Sequence, residues 1–176
     1  MMSRPNPTEY ADFYANYINK VPDGDLLNFL DFQPAEFEGL VNDLSDAQAS
    51  SPPAPGKWSV KQVLGHLCDS ERVHSYRVLR FARSDETELE GFEQDDYVAA
   101  ANSDSRSTAE LLAELKSVRK ATLSLLESLT TEDSRRSGIA NGKSISVRAL
   151  AYVIAGHAQH HLELLRKQFV GKPVGA

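Results

Sequence analysis

Apolar residues recur every three or four positions in four long stretches of the chain, a spacing that places them on one face of an α-helix. The first stretch begins at Asp25, and Pro34 in its middle predicts a kink or a restart. Ser59 opens the second stretch, in which Gln62 completes a capping box, and the pattern reaches to about Arg83. The apolar positions are Leu26, Leu27, Leu30, Phe37, Leu40, Val41 and Leu44, then Val60, Val63, Leu64, Leu67, Val78 and Phe81. Each stretch therefore predicts an amphipathic helix.

The third and fourth stretches lie in the second half of the chain. Ser107 and Glu110 predict the capping box of the third helix, whose apolar residues alternate in steps of four and three. The fourth helix begins after Ser144 or Ser146, and Gly171 with the proline two residues later ends it. The apolar positions are Leu111, Leu115, Val118, Thr122, Leu125 and Leu129, then Val147, Leu150, Ala151, Ile154, Leu165 and Phe169.

The segments between these helices are polar or contain helix-breaking residues. Asn6 predicts the cap of a short helix within an N-terminal extension, residues 1–22. Residues 84–106 predict a polar crossover with one helical turn around 94–100, and residues 131–143 predict a polar turn. A connection as long as this crossover suits two helices that are not joined by a tight hairpin.

Four amphipathic helices, without a convincing strand or a repeated unit, predict an all-α fold in the form of a four-helix bundle. The chain has 176 residues, about the length of one domain, and is long enough to bury a core without disulfides. We expect a single domain over residues 1–176, with the bundle in residues 23–170.

Charge and composition exclude several classes of function. The net charge is −6, with 25 acidic against 19 basic residues, so the chain lacks the basic excess that binding to nucleic acid requires. Cys68 is the one cysteine, and no apolar segment approaches the roughly 20 residues that span a bilayer. Since the start of the sequence also lacks a signal-peptide pattern, we expect a cytoplasmic protein with a small-molecule substrate.

Histidines on two of the predicted helices supply the candidate chemistry. His157 and His161 are four residues apart, so both imidazoles lie on one helix face, beside its apolar residues. A metal ion is the simplest shared partner for two such imidazoles, although one could bind a backbone carbonyl and the other lie at a wet bundle end. His66, near the edge of the apolar face of the second helix, is the candidate third ligand. Three protein ligands leave a coordination position open, which is typical of reactive metal sites.

The alternatives to this set of ligands are weaker. His74 lies at the centre of its apolar face, and Glu71-x-x-His74 resembles half of a di-iron motif. No glutamate stands three residues before His157, His160 or His161, so the second half of that motif is missing. His74 is therefore interpreted as a core or supporting histidine. His160 falls toward the flank of its helix.

The residues after His66 have further candidate roles. Cys68 points to another face of the helix and is interpreted as a small buried residue. Asp69 and Glu71 are candidate catalytic residues, Asp69 because carboxylates often orient metal-bound imidazoles, and Glu71 because it lies within the apolar face. There Glu71 needs a partner, which we expect to be Arg77 or Arg80. The acidic segment 93–97 is interpreted as a solvated loop or as a lid over the open metal face.

Several short motifs, in a fixed order along nearly the whole chain, resemble the DinB-like family of metal-binding four-helix bundles. They are Gly56-Lys57-Trp58-Ser59-Val60-Lys61, Gly65-His66-Leu67-Cys68-Asp69-Ser70-Glu71-Arg72, Tyr76-Arg77, Gly91-Phe92-Glu93-Gln94-Asp95-Asp96-Tyr97 and Gly156-His157-Ala158-Gln159-His160-His161. The resemblance implies an up-down-down-up bundle, often a homodimer, with one divalent metal ion held by His66, His157 and His161. Arg77 and Tyr97, within the matched motifs, are the expected substrate-binding residues.

The resemblance also implies a set of candidate activities. Characterised members include metal-dependent transferases that join low-molecular-weight thiols, such as bacillithiol or mycothiol, to electrophiles, and a thiol-dependent isomerase. Many others carry only the provisional name of metal-dependent hydrolase. Our first hypothesis is a thiol S-transferase in which the metal lowers the pKa of a thiol co-substrate. The alternatives are a hydrolase with Asp69 or Glu71 as base, and a non-catalytic metal- or small-molecule-binding stress-response protein. Three imidazoles suit zinc or nickel, with iron and copper as further candidates.

Overall fold

The computed structural model describes residues 2–169, which are mostly helical. In these residues the α-helices are α1 (Ala15–Ile18), α2 (Leu26–Val41), α3 (Asp46–Ser50), α4 (Val60–Ala82), α5 (Gln94–Ala100), α6 (Thr108–Glu127), α7 (Thr131–Arg135) and α8 (Val147–Phe169). Short 3-10 turns cover Pro7–Glu9, Asp12–Tyr14 and Ser103–Ser105, and one antiparallel hairpin consists of β1 (Ser137–Ala140) and β2 (Lys143–Ser146). The long helices α2, α4, α6 and α8 form the predicted four-helix bundle.

Hydrogen bonds and ion pairs between the long helices give their relative directions. The partners advance together along α4 and α6, and along α2 and α8, so each of these pairs is parallel. Along α2 and α6 the partners advance in opposite directions. Between α4 and α6 the bonded pairs are Cys68 with Leu111 and Glu71 with Arg119. Between α2 and α8 they are Gln33 with Ala155 and Glu36 with Arg166. Between α2 and α6 they are Glu38 with Lys116 and Leu30 with Arg119. The order is therefore up-down-down-up, and residues 83–107 connect two parallel helices.

The predicted helix starts agree closely with the structure. Reciprocal side-chain bonds form capping boxes between Ser59 and Gln62 and between Ser107 and Glu110. Of the two serines considered for the last helix, Ser146 is the cap, because its Oγ accepts the Ala149 N–H at 3.1 Å. Local sequence therefore determines where these helices begin.

Two expectations about the connections are wrong. The segment after α6, expected to be a polar turn, contains the β1–β2 hairpin. Its strands are too short to show a clear alternation of apolar and polar residues. The N-terminal segment has the expected capping box between Asn6 and Glu9, but two 3-10 turns and the four-residue α1 replace one helix. Within α2 the helix continues through Pro34, so of the two expectations for this residue the restart is wrong and the kink stays a prediction. The predicted stops at Gly171 and Pro173 lie outside the described residues.

A layer of buried polar side chains separates two apolar clusters inside the bundle. One cluster joins the N-terminal segment and hairpin to the first half of α8, and the other joins the start of α4 to the second half of α8. The buried polar side chains along the middle of α4 are Ser70, Glu71, His74 and Arg77. This layer, beside the histidines, positions the candidate site.

None of the helices in the described part of the chain combines the length and the apolar character needed to cross a membrane.

Candidate metal centre

Three buried histidines converge between α4 and α8. His66 Nε2 lies 3.1 Å from His157 Nε2, which in turn lies 3.2 Å from His161 Nε2. One ring nitrogen from each histidine lies within 4.8 Å of the others. Because α4 and α8 are antiparallel neighbours, one turn of α8 presents two imidazoles to the single imidazole of α4. The structure thus brings together the three residues that the sequence selected as metal ligands.

A glycine precedes a histidine of the cluster on each helix, and each glycine lies against another segment. A Cβ added at Gly156 would lie 2.0 Å from the backbone oxygen of Tyr17, so only glycine lets α1 approach α8 this closely. A Cβ at Gly65 would lie 2.2 Å from the side-chain oxygen of Ser103. These contacts bring α1 and the crossover against the helix turns that carry the histidines.

Aromatic rings hold the imidazoles in place. Trp58, just before the cap of α4, has its ring centroid 4.6 Å from that of His66 and 6.1 Å from that of His161, nearly parallel to the latter. Tyr17 of α1 meets His157 edge-on at 5.3 Å. These contacts restrict the side-chain rotation of all three histidines and keep water away from part of the cluster.

Burial makes the neutral form of these imidazoles the stable one. It lowers the pKa of His66 to about 4 and that of His161 to about 3. The pKa of His157 also lies well below its ordinary value, first because of burial and then because of the neighbouring histidines. A neutral imidazole has a free lone pair, so three of them can bind one cation at neutral pH.

The geometry fits a transition-metal ion. Nitrogen ligands at about 2.0–2.1 Å from a tetrahedral zinc ion lie about 3.3–3.4 Å apart. The observed separations of 3.1 and 3.2 Å are close to this value. The donor set consists of imidazoles alone, which excludes the hard cations calcium and magnesium as natural occupants. A divalent metal ion bound by three nitrogen atoms is therefore the occupant that this cluster fits.

A cavity of about 250 Å³ adjoins His66 and His157. Side chains of the N-terminal segment, the middle of α4, the crossover and the hairpin form its walls. They belong to Phe13, Tyr14, Tyr17, Ser70, His74, Arg77, Phe92, Glu93, Gln94, Asn141 and Val153. We call this space the inner cavity. It gives a small molecule access to the histidine cluster from one side.

A second and larger space reaches the cluster at His161. It has a volume of about 600 Å³ and shares no lining residue with the inner cavity. Its walls are mostly apolar and are formed by Trp58, the segment before it and the second half of α8; we call it the outer groove. Two separate spaces therefore meet the histidine cluster.

The two predicted catalytic carboxylates, Asp69 and Glu71, line neither the inner cavity nor the outer groove. Glu71 is buried and forms a two-pronged ion pair with Arg119 of α6, at 2.8 Å for both bonds. This corrects the expected pairing of Glu71 with Arg77 or Arg80. Asp69 is half-buried, with Arg72 3.6 Å away, and it lines neither the inner cavity nor the outer groove. Burial raises the pKa of Asp69.

The two predicted substrate-binding residues occupy different surroundings. Arg77 is buried, lines the inner cavity and donates a hydrogen bond to the Glu90 carbonyl at 2.8 Å. Tyr97 is 45% exposed, packs on Phe92 and lines neither space. Phe92 itself lines the inner cavity, so Tyr97 supports its wall from outside. The acidic segment contributes Glu93 and Gln94 to the mouth of the same cavity.

His74, His160 and Cys68, which the sequence analysis did not choose as metal ligands, lie outside the cluster of nitrogen atoms. His74 is buried in the wall of the inner cavity, its ring centroid 6.3 Å from that of His157, and burial lowers its pKa to about 4. His160 is half-buried on the flank of α8. Cys68 is buried with its thiol toward the Leu111 carbonyl, and burial raises its pKa to about 12. Cys68 is therefore neither a ligand nor a nucleophile.

Sequence reasoning missed three neighbours of the cluster. They are Tyr17, Trp58 and Ser70, whose hydroxyl lies 3.3 Å from His66 Nδ1. The position of Ser70, one helical turn after His66, was a signal for its contact. No comparable signal marked Tyr17 or Trp58, because their contacts depend on how segments pack.

Comparison with known proteins connects this site to a family. The family model described as the DinB superfamily matches residues 30–165, more than half of the chain. A protein of Bacillus pumilus, named "Putative metal-dependent hydrolase", is 29% identical over 133 residues, which cover 73% of this chain and 74% of that protein. A protein of Oceanobacillus iheyensis that carries the same kind of name is 30% identical over 126 residues, covering 69% and 70%.

The fold is similar to a solved structure as well. That structure is YfiT from Bacillus subtilis, described as a probable metal-dependent hydrolase with an unusual four-helix bundle topology. The TM-score is 0.75 at 20% sequence identity, and the match covers 97% of this chain and 95% of that one. At this identity the likeness establishes the bundle fold.

Proposed function

The chain belongs to the DinB superfamily, and from this premise we propose that it is a metal-dependent thiol S-transferase. His66, His157 and His161 would hold one divalent metal ion, because their buried nitrogen atoms converge and stay neutral. When bound, such an ion lowers the pKa of a thiol and thus supplies a thiolate at neutral pH. Zinc and nickel are the ions we propose first.

The observation that carries the proposal is the presence of two spaces at one cluster. A transfer between two molecules needs separate places for the thiol and for the electrophile, both within reach of the reacting atoms. The inner cavity meets the cluster at His66 and His157, and the outer groove meets it at His161. The mostly apolar outer groove suits the body of an electrophile, and the inner cavity, whose walls combine aromatic and polar side chains, suits a thiol that carries a charge.

The distribution of carboxylates also favours this reaction. Hydrolysis benefits from a general base beside the attacking water. Among the residues that line the two spaces, the carboxylates are Glu93 and Asp95, and both are exposed at the mouths. The buried Glu71 is held by Arg119. A metal-activated thiol needs no such base, since the solvent takes its proton before the transfer.

A thiol panel with a model electrophile tests the proposal. Zinc- or nickel-loaded protein would be incubated with bromobimane and, in turn, bacillithiol, mycothiol, glutathione and cysteine. In the transfer the thiolate sulfur forms a bond to carbon, bromide leaves, and the thiol proton goes to the buffer. We expect product formation above the uncatalysed rate with at least one thiol, and none above it with His161→Ala. Equal rates with and without protein for every thiol would refute the transferase.

Hydrolysis is the second candidate, favoured by the names of the relatives from Bacillus pumilus and Oceanobacillus iheyensis. In that case the open coordination position would bind water, and Glu93, at the mouth of the inner cavity, would be the carboxylate available there as a base. A panel of ester, amide and lactone substrates without added thiol separates the two reactions. Metal-dependent turnover in that panel would replace the transferase with the hydrolase.

A further inference from the structure

Arg77 is a buried cation in the wall of the inner cavity. Its side chain is only 4% exposed, and the part of the chain that the structure describes places no carboxylate within ion-pair distance of it. One guanidinium N–H group bonds the Glu90 carbonyl at 2.8 Å. A guanidinium has five N–H donors, so most of them are left for a group inside the cavity.

The energetics of burial point to an anion as that group. Removing a charged group from water is costly unless an opposite charge or several hydrogen bonds compensate for it. The other buried arginine of the polar layer, Arg119, has this compensation from Glu71, Gln33 and the Leu30 carbonyl. Arg77 has a single carbonyl as a hydrogen-bond partner, so an anion bound in the inner cavity would compensate its charge better than water in the same cavity does.

The other walls of the inner cavity suit a small organic anion. Phe13, Tyr14 and Phe92 provide aromatic surface, and Asn141 provides an amide at the same end as Arg77 and Glu90. The hairpin fixes this end, because the Asn141 N–H donates to the Leu89 carbonyl at 2.8 Å. An aromatic box with one planar cation matches an apolar body that carries a carboxylate, whose two oxygens a guanidinium binds side by side.

We propose that Arg77 binds the carboxylate of a substrate whose apolar body lies in the inner cavity. This inference rests on the proposed function, in that it assigns one of the two reactants to a class. Glu93 at the mouth is exposed and solvated, so it repels an anion at the entrance far less than Arg77 attracts one inside.

The spacing along α4 separates the carboxylate from the reacting atom. Arg77 follows His66 by eleven residues, which corresponds to roughly 16 Å along the helix axis. Side chains on a helix lean toward its N-terminus, so the Arg77 guanidinium reaches back toward His66 and shortens this separation. We therefore expect a carboxylic acid whose body spans the inner cavity and whose reactive atom lies several bonds from the carboxylate.

Binding to metal-free protein tests this without relying on turnover. Protein freed of metal would be titrated with hexanoate and with hexanamide at constant ionic strength, with isothermal calorimetry as the readout. We expect saturable binding of hexanoate and at least about tenfold weaker binding of the neutral amide. In Arg77→Met the hexanoate affinity should fall at least about tenfold, and in Arg77→Lys it should fall less.

Arg72→Met is the matched control, since Arg72 lies on the same helix and pairs with Glu114 at the surface. It should bind hexanoate as the wild type does. Equal hexanoate affinity in wild type and Arg77→Met would overturn the proposal, as would tighter Arg77-dependent binding of inorganic phosphate. If Arg77→Met does not fold, Arg77→Lys and the acid-amide pair still decide. Metal content of Arg77→Met should match wild type, so a failed transferase assay and a failed carboxylate site remain distinguishable.

Discussion

His157 is the central imidazole of the cluster, because its Nε2 lies within 3.2 Å of the nitrogen atoms of both other histidines. We predict that His157→Ala loses the metal, whereas His160→Ala keeps it. His160 is three residues away on the same helix but half-buried on its flank. Removing a ligand should weaken metal binding by more than the roughly 10- to 100-fold that the loss of a supporting partner costs.

Elemental analysis of protein purified without chelator checks this prediction. Wild type and His160→Ala should carry about one metal ion per chain, and His157→Ala less than about a tenth of that. Retention of metal by His157→Ala would mean that these three nitrogen atoms do not form the site.

At the level of single residues, the sequence revealed the histidines better than it revealed their surroundings. The four-residue spacing of His157 and His161, on a face with apolar neighbours, is a local pattern that one helix expresses. The predicted partner of Glu71, Arg77 or Arg80, was wrong. The actual partner, Arg119, lies on α6, 48 positions away, and no local pattern indicates which helices are neighbours. The prediction that Asp69 and Glu71 are catalytic stays untested, although the position of each argues against it.

At the scale of elements, the contact between α1 and α8 depends on Gly156. We predict that Gly156→Ala lowers the free energy of unfolding by about 1–3 kcal/mol, since the added Cβ would collide with the Tyr17 backbone. Gly39→Ala in α2 is the control, because a Cβ there meets nothing within 4 Å. It should raise stability by up to about 1 kcal/mol through helix propensity. Urea denaturation measures both changes, and a stabilised Gly156→Ala would contradict the close approach.

The N-terminal segment is tied to α8 by an ion pair between Glu9 and Arg148. This pair lowers the pKa of Glu9 from 4.5 to about 2. A carboxylate with a lowered pKa contributes stability above its unfolded pKa and loses it as the pH falls through the folded value. We predict that Glu9→Gln is less stable than wild type at pH 7, by at most about 3 kcal/mol, and that the difference shrinks below pH 4.5 and vanishes near pH 2.

Chemical denaturation of wild type and Glu9→Gln at pH 7 and at pH 3 tests the role of the pair. The comparison cancels the protonation of buried histidines, which both proteins share. Asp12→Asn, an exposed carboxylate of the same segment, should change stability little at either pH. A stability difference for Glu9→Gln that is independent of pH would show that Glu9 acts through its capping box instead.

The hairpin shows which local signal the sequence offered and why it was overlooked. Asn141 and Gly142 both have positive φ, 52° and 67°, which is the conformation that an Asn-Gly pair favours in a two-residue hairpin turn. The flanking strands are four residues each and only partly apolar, so their alternation was too short to stand out. The Asn141-Gly142 pair alone is therefore a sufficient local signal for a hairpin at this position.

At the scale of the whole molecule, the number and bounds of the long helices followed from the sequence, and the way in which they pack did not. Capping boxes and apolar periodicity are local, so Ser59 and Ser107 marked helix starts without knowledge of the fold. The parallel packing of α4 and α6 depends on the long crossover and on contacts such as Glu71 with Arg119. Only the family resemblance implied the order of the bundle, and the homodimer that it also implies stays a prediction, which light scattering can check.

Two apolar clusters close the bundle on either side of the buried polar layer, and the metal ligands belong to helices that both clusters hold. The helices therefore do not need the metal in order to form, unlike a zinc finger, whose small core cannot fold alone. We predict that removing the metal with a chelator leaves the helical circular dichroism unchanged but lowers the melting temperature. An ion present at 100 times its Kd contributes about 2.7 kcal/mol of stability, which in a protein of this length corresponds to several degrees.

Variants of the histidines test whether the fall in melting temperature on chelation comes from this metal site. His157→Ala should melt at the same temperature with and without chelator, because it has no metal to lose, while His160→Ala should show the wild-type shift. Without metal, the four-residue α1 and the segment around Trp58 are the parts most exposed to change, since they pack directly on the imidazoles. A collapse of helical signal on chelation would mean that the metal organises the fold, and the apolar clusters alone would then be insufficient to hold the bundle together.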